Sequence, residues 1–174
     1  MQAQALRIAA SFALSLGAPA FAAAPGEAGP RGSTEIVFTQ PERYIDAGDG
    51  PAEVRANLAL LQRTLQELGQ KWLQPGQSLR IEVEQVDLAG RVEPALRHPQ
   101  PLRVLRGGAD WPRIDFKYTL STAATGAQES GTASISDQAY LLHPITHTGE
   151  PLRYERRMLA QWFRHRFGER PAAP

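Results

Sequence analysis

Cysteine is absent from the 174 residues of this chain, and its absence excludes several classes of protein. No disulfide framework can form, so the burial of apolar side chains must stabilise the fold. Thiol catalysis and thiolate metal sites are excluded in the same way, as is the lipid-bearing cysteine of a bacterial lipoprotein. We therefore expect a protein without a thiolate-held cofactor, and no other cofactor motif is present.

An excess of positive charge is also missing. The chain carries 19 Lys and Arg against 18 Asp and Glu, which gives a formal net charge of +1. Arg7 is the only charged residue in the first 22 or so, so the remainder is close to neutral. Nucleic-acid binding needs a basic surface that displaces counterions, and we therefore expect no nucleic-acid partner.

A long apolar run is missing as well. The run Ile8–Leu16 is far shorter than the roughly 20 residues that cross a bilayer. Arg7 precedes it, and small residues follow it as far as the stretch Ala20-Phe21-Ala22. This order of basic, apolar and small residues is typical of a secretory signal peptide that is cleaved near Ala22. We expect a periplasmic or secreted protein with no transmembrane anchor.

Composition divides the chain into four parts. Residues 1–22 are predicted to be the signal peptide, and the Pro- and Gly-rich residues 23–33 a disordered leader. Residues 34–168 are predicted to form one domain, followed by a disordered tail at residues 169–174.

Hydrophobic periodicity predicts two helices and several strands. Apolar residues recur every three or four positions from Val54 to Trp72, after a proline, Pro51, that suits a first helical turn. A second amphipathic pattern predicts a helix over residues 151–167. Alternation over Leu79–Val83 predicts a strand, and a change of phase at Gln85 predicts a bulge.

Further strands are predicted around residues 35–39, 102–105 and 114–120, and a weaker one at residues 132–137 after a turn-rich stretch. Consecutive strands with short links favour antiparallel pairing. The predicted fold is therefore α+β: a two-layer sandwich, with a mostly antiparallel sheet of four or five strands and two helices on one face.

Three stretches carry a family resemblance: residues 86–91 (VDLAGR), residues 112–115 (PRID) and residues 149–155 (GEPLRYE). The last continues into the apolar residues Met158, Leu159, Trp162 and Phe167. In these stretches the chain resembles the bacterial domain of unknown function 3016 family, over roughly residues 34–168. The resemblance implies an exported protein, chiefly of Gram-negative bacteria, and it implies no particular activity.

Two histidines are candidate metal ligands. His143 and His147 are four residues apart, which would place both imidazoles on one face of a helix. Pro144 between them favours a loop, in which ordinary surface histidines are the alternative.

Asp87 and Arg91 flank a glycine after a predicted strand, where a loop presents side chains at a sheet edge. They are candidate ligand-binding residues. The alternative is structural: Asp87 accepts hydrogen bonds from turn N–H groups, with an ion pair to Arg91.

The last helix has a strongly basic face. Residues 151–170 contain six arginines against Glu155 and Glu169, and Arg153, Arg157 and Arg164 lie opposite the apolar arc. Such a helix can dock an acidic partner or contact an anionic membrane peripherally. The alternative is a core helix with a solvated basic face.

Two functions follow from these patterns. The first is a non-catalytic exported module that binds an envelope protein or a small ligand, and the lack of any nucleophile motif or phosphate loop favours it. The alternative is a small metal-assisted or carboxylate-dependent hydrolase. It would use Asp87, His143 and His147, with Arg91 stabilising an anion.

Overall fold

The computed structural model describes residues 32–94, 101–143 and 150–168. These residues contain a short 3₁₀ turn at Pro41–Arg43, two α-helices and six strands. The helices are α1 (Pro51–Trp72) and α2 (Arg153–Phe167). The strands are β1 (Ser33–Phe38), β2 (Gln77–Asp87), β3 (Arg91–Glu93), β4 (Leu102–Val104), β5 (Arg113–Thr122) and β6 (Ala127–Ser136).

Four of the strands form the main sheet, in the order β1-β2-β5-β6. The α1 crossover joins β1 to β2, and these two strands are parallel, whereas β2, β5 and β6 pair antiparallel. β3 and β4 form a separate small antiparallel sheet. The α+β prediction is confirmed, with a mixed main sheet.

Both helices cover the same face of this sheet. Leu79, Ile81 and Val83 of β2 alternate toward the helices and are almost fully buried. The intervening residues face the other side, where Arg80 pairs with Glu35 of β1 at 2.6 Å. The period of two in β2 thus separates the core from the solvated face.

The core holds the buried faces of both helices and the sheet. It contains Leu61 and Leu65 of α1 together with Leu159 and Phe163 of α2. Trp162 of α2 lies edge-on to the ring of Phe116 of β5, with 4.9 Å between the ring centroids. These contacts join α2 to the sheet through apolar and aromatic packing.

Glycine is required where α1 crosses β1. A Cβ atom placed on Gly69 would lie 1.8 Å from the hydroxyl oxygen of Thr34. The helix can therefore approach the strand this closely only because position 69 has no side chain.

Local patterns located most elements correctly. α1 begins at the predicted Pro51 and ends at Trp72, the last residue of the apolar repeat, and the β2–β5 register shifts between Val83 and Gln85, at the predicted bulge. β6 differs from the prediction because it begins at Ala127, so the turn before it is much shorter. Its small polar residues show little alternation, and pairing with β5 along its full length defines the strand.

The predicted signal peptide and C-terminal tail lie outside the described residues, as does nearly all of the predicted leader. At the leader's end, β1 begins at Ser33, and Gly32 before it is buried. Of the helices that the structure describes, neither has the length and apolar character needed to cross a membrane.

Candidate ligand-binding site

Several of the residues singled out from the sequence lie at one end of the sheet. β2 ends at Asp87, the turn of residues 88–90 follows, and Arg91 begins β3. The chain segment after the 3₁₀ turn runs alongside, because Asp46 and Asp87 form an isolated parallel bridge. Asp46 donates its N–H to the carbonyl of Val86, and its own carbonyl accepts the N–H of Leu88.

Arg103 of β4 joins these segments through a bidentate ion pair. Its two terminal nitrogens each lie 2.8 Å from an oxygen of the Asp46 carboxylate. One of them also donates to the carbonyl of Ala89 at 3.3 Å. The hydrogen bonds to Asp46 raise the pKa of Arg103, so the guanidinium stays charged.

Asp87 lies beside this ion pair. Burial raises the pKa of Asp87, the charge of Asp46 adds to the effect, and Arg91, Arg103 and Arg113 oppose it. The Arg91 guanidinium donates to the carbonyl of Ala109 at 3.4 Å. A role for Asp87 and Arg91 in binding stays a prediction.

Glu155 lies beneath the turn of residues 88–90. It belongs to the first turn of α2, its exposed fraction is 2%, and one carboxylate oxygen accepts the N–H of Ala89 at 2.7 Å. Burial raises the pKa of Glu155, while the N–H of Ala89 and the charges of Arg103 and Arg153 lower it. A buried acid of this kind is costly unless it is hydrogen-bonded.

A cavity of about 320 Å³ opens between the turn, β4 and the start of α2. Part of its wall is apolar and part is charged. The apolar side chains are those of Leu88, Ala89, Leu105, Pro151, Leu152 and Tyr154, and the charged ones are those of Arg103, Glu150, Arg153 and Glu155. Small-ligand sites commonly have this size and this combination of apolar wall and few polar groups.

An aromatic pair supports the cavity from behind. The rings of Tyr154 and Tyr140 meet edge to face, with 4.8 Å between their centroids, and Tyr140 is fully buried. The guanidinium of Arg153 lies over the Tyr154 ring at 4.8 Å. Packing therefore holds Tyr154 in place at the cavity wall.

The predicted basic face of α2 is largely used within the fold. Arg157 forms an ion pair with the buried Asp137, and Arg156 pairs with Glu67 of α1 at 2.9 Å. Arg164 is exposed, eleven residues and thus about 16 Å along the helix from Arg153. The structure therefore places Arg153 at the cavity, Arg157 in an ion pair and Arg164 on a separate surface.

The predicted histidine pair is described only in part. His143 is exposed, and His147 lies outside the described residues. Within the described part of the chain, no group of three His, Cys, Asp or Glu side chains is arranged to hold a metal ion.

A family model supports the resemblance seen in the sequence. The model described as "Protein of unknown function (DUF3016)" matches residues 32–165, most of the chain. The chain belongs to this family.

The stretches that carried the DUF3016 resemblance meet at the candidate site. The N–H of Ala89, in the VDLAGR stretch, donates to the carboxylate of Glu155, the last residue of GEPLRYE. The third stretch, PRID, starts β5, and its Arg113 pairs in register with Asp87. The cavity of this DUF3016 member is thus built largely from two of its three recognisable stretches.

Two solved structures show distant likeness to the chain. A dodecamer of a PelC point variant from Paraburkholderia phytofirmans is 14% identical, with 78% of this chain and 87% of that chain covered and a TM-score of 0.27. A second PelC dodecamer from the same organism is also 14% identical, with 79% and 91% covered and a TM-score of 0.26. These scores do not establish a common fold. Among curated proteins, no sequence matches this DUF3016 chain.

Sequence reasoning missed two residues of the site. Among the sequence patterns, Glu155 occurs in the GEPLRYE stretch and as an acid among the arginines, and none of them indicates a site role for Glu155 or for Arg103. The signal for Glu155 was present, since it lies four residues before Leu159 and eight before Phe163, on the buried side of the helix. Arg103 gave no signal, because its partner Asp46 is 57 residues away.

Proposed function

We propose that this protein is a non-catalytic, exported binding module of the bacterial envelope, with the cavity at the start of α2 as its ligand site. The observation that carries the proposal is the cavity itself. It combines an apolar wall with a buried carboxylate and a fixed guanidinium in about 320 Å³, enough for a small ligand with an apolar portion.

The rigidity of the cavity supports a role in binding. Arg103 is fixed by two hydrogen bonds to Asp46, and Glu155 by the N–H of Ala89. Side chains that are fixed before a ligand arrives lose little conformational entropy when it binds. The cavity is therefore preorganised.

The hydrolase alternative has less support from the geometry. Asp46 is the acid beside Asp87, but both of its oxygens lie 2.8 Å from Arg103. Both carboxylate oxygens of Asp46 are thus occupied by one guanidinium, which leaves this acid poorly placed to contact a substrate. The arrangement of Asp46 and Asp87 is better explained as part of the structure that supports the cavity.

The prediction that the protein is exported depends on its N-terminal sequence. Fractionation of the native bacterium tests this prediction. We expect the chain in the periplasmic or secreted fraction, with a new N-terminus near residue 23. An uncleaved chain in the cytoplasm would contradict the proposed location.

Photo-crosslinking in intact cells tests the cavity. A photoreactive amino acid at Leu105, which lines the cavity, should capture a discrete species. The matched control is the same group at Leu102, three residues away and exposed, which does not line the cavity. Equal capture at both positions, or none at Leu105, would count against the cavity as the binding site.

A parallel experiment distinguishes the cavity from the basic surface. Arg164→Glu reverses an exposed charge, and no ion pair among the described residues includes Arg164. Arg157 is unsuitable because its reversal would place two acids together at Asp137. Capture at Leu105 should persist in R164E. Loss of capture would show that the ligand binds the exposed surface around Arg164 and not the cavity.

A further inference from the structure

β6 forms one edge of the main sheet, and its length is unusual for an exposed edge. It has ten residues and, in the part of the chain that the structure describes, pairs only with β5. Edge strands commonly carry lysine, proline or a bulge, which hinder pairing with another chain. β6 has none of these, and Glu129 is its only charged residue.

The β5–β6 register shows which backbone groups point outward. Asp137, just after β6, donates its N–H to the carbonyl of Pro112, so this pair occupies a hydrogen-bonding position of the ladder. Such positions alternate along an antiparallel pair, and the register has no shift from there back to Ala127. The odd-numbered residues of β6 therefore bond to β5. The N–H and C=O groups that point away belong to Gln128, Ser130, Thr132, Ser134 and Ser136.

We propose that a second copy of this chain pairs with this edge, β6 against β6 and antiparallel, about a two-fold axis at Thr132. In that register Thr132 lies opposite Thr132, and Ser130 lies opposite Ser134 of the second copy. Every outward residue then meets an outward residue, and all five side chains are polar and exposed. The resulting interface is self-complementary, as a two-fold dimer requires.

The charges fit this register. α2 runs antiparallel to β6, since Arg166 pairs with Glu129 and Arg157 pairs with Asp137. The two-fold places Glu129 of one copy opposite Ile135 of the other, beside the Arg157 end of that copy's α2. The two Glu129 residues are about 20 Å apart along the ladder, six residues at about 3.4 Å each. Each Glu129 thus lies beside the Arg157–Asp137 ion pair of the other copy, and the two Glu129 carboxylates stay apart.

A single cysteine tests the register, because the chain has no cysteine of its own. The proposed register puts the two Thr132 Cα atoms about 5.5 Å apart, within the range that a disulfide spans. The full chain carrying T132C should form a disulfide-linked dimer under mild oxidation. S130C, two residues away on the same exposed face, is the control: it should form the same non-covalent dimer but no disulfide, because its partner position is Ser134. Equal crosslinking of both variants, or none of T132C, would overturn the proposal.

Proline substitution tests the same edge without a crosslink. T132P removes an N–H that points outward, so it leaves the β5–β6 ladder intact while its ring blocks an added strand. In sedimentation experiments we expect a dimer for the native chain and a monomer for T132P. Their unfolding midpoints should be similar at protein concentrations low enough to dissociate the native dimer. A native monomer, as expected if the N-terminal residues or an extended segment of another protein cover β6, would refute the dimer. A dimer that persists in T132P would also refute pairing through β6. If T132P does not fold, the cysteine variants test the proposal instead.

Discussion

Replacing Glu155 by glutamine tests the electrostatics at the base of the cavity. Glu155 is 2% exposed and accepts the N–H of Ala89 at 2.7 Å. Burial raises the pKa of Glu155 because it penalises the charged carboxylate, and the favourable contacts of that carboxylate offset this only in part. The folded protein therefore holds the Glu155 proton more tightly than the unfolded chain does.

The sign of the pH dependence follows from this difference. The stabilising contribution of Glu155 is fully present below its ordinary pKa of about 4.5, and it is lost as the pH rises through the raised pKa. Each unit between the two pKa values corresponds to about 1.4 kcal/mol. Glutamine accepts the same N–H and does not ionise, so the stability of E155Q relative to the native chain should increase as the pH rises above about 4.5 and through the raised pKa.

Urea unfolding at several pH values measures this difference by linear extrapolation. The control is E155L, which matches the shape but leaves the buried N–H of Ala89 without an acceptor. E155L should be less stable than E155Q by about 1–3 kcal/mol. If the difference between E155Q and the native chain does not change with pH, the account of Glu155 as a buried, proton-retaining acid is refuted.

Two further predictions concern contacts that hold the domain together. A double-mutant cycle of R103Q and D46N should give a coupling free energy of about 2 kcal/mol in urea unfolding, since the ion pair is bidentate and partly buried. A coupling below about 0.5 kcal/mol would show that the Arg103–Asp46 pair does not stabilise the site. G69A should destabilise the protein by about 1–3 kcal/mol, although alanine is ordinarily the better helix residue by about 1 kcal/mol, because its Cβ would overlap Thr34. The exposed control Q70A should change stability by less than about 0.5 kcal/mol, and an equally neutral G69A would contradict the close approach.

The elements of the fold were largely predictable because their signals are local. Pro51 and the apolar repeat that follows it specify where α1 begins and which face it buries. The change of phase at Gln85 predicts the bulge in β2. β6 was harder to place, since its small polar residues have little pattern of their own and pairing with β5 defines its length.

The site was predictable only in part. The turn between Asp87 and Arg91 was predictable, although these two residues themselves end β2 and begin β3. Folding brings that turn against residues far away in the chain. The hydrogen bond from Ala89 to Glu155 spans 66 residues, and no local pattern indicates which acid will lie under which turn. The same limit applies to Arg157, whose partner Asp137 is 20 residues earlier.

By itself, the sequence determined the class of the fold, the faces of its helices and strands, and the absence of thiol chemistry. These properties depend on composition and on periods of two and 3.6 residues, which are local. Only the tertiary structure decided that Arg103, Glu155 and the turn of residues 88–90 surround one cavity, and that the outward backbone groups of β6 form an open edge. Both depend on strand order and register, which arise when segments far apart in the chain pack together.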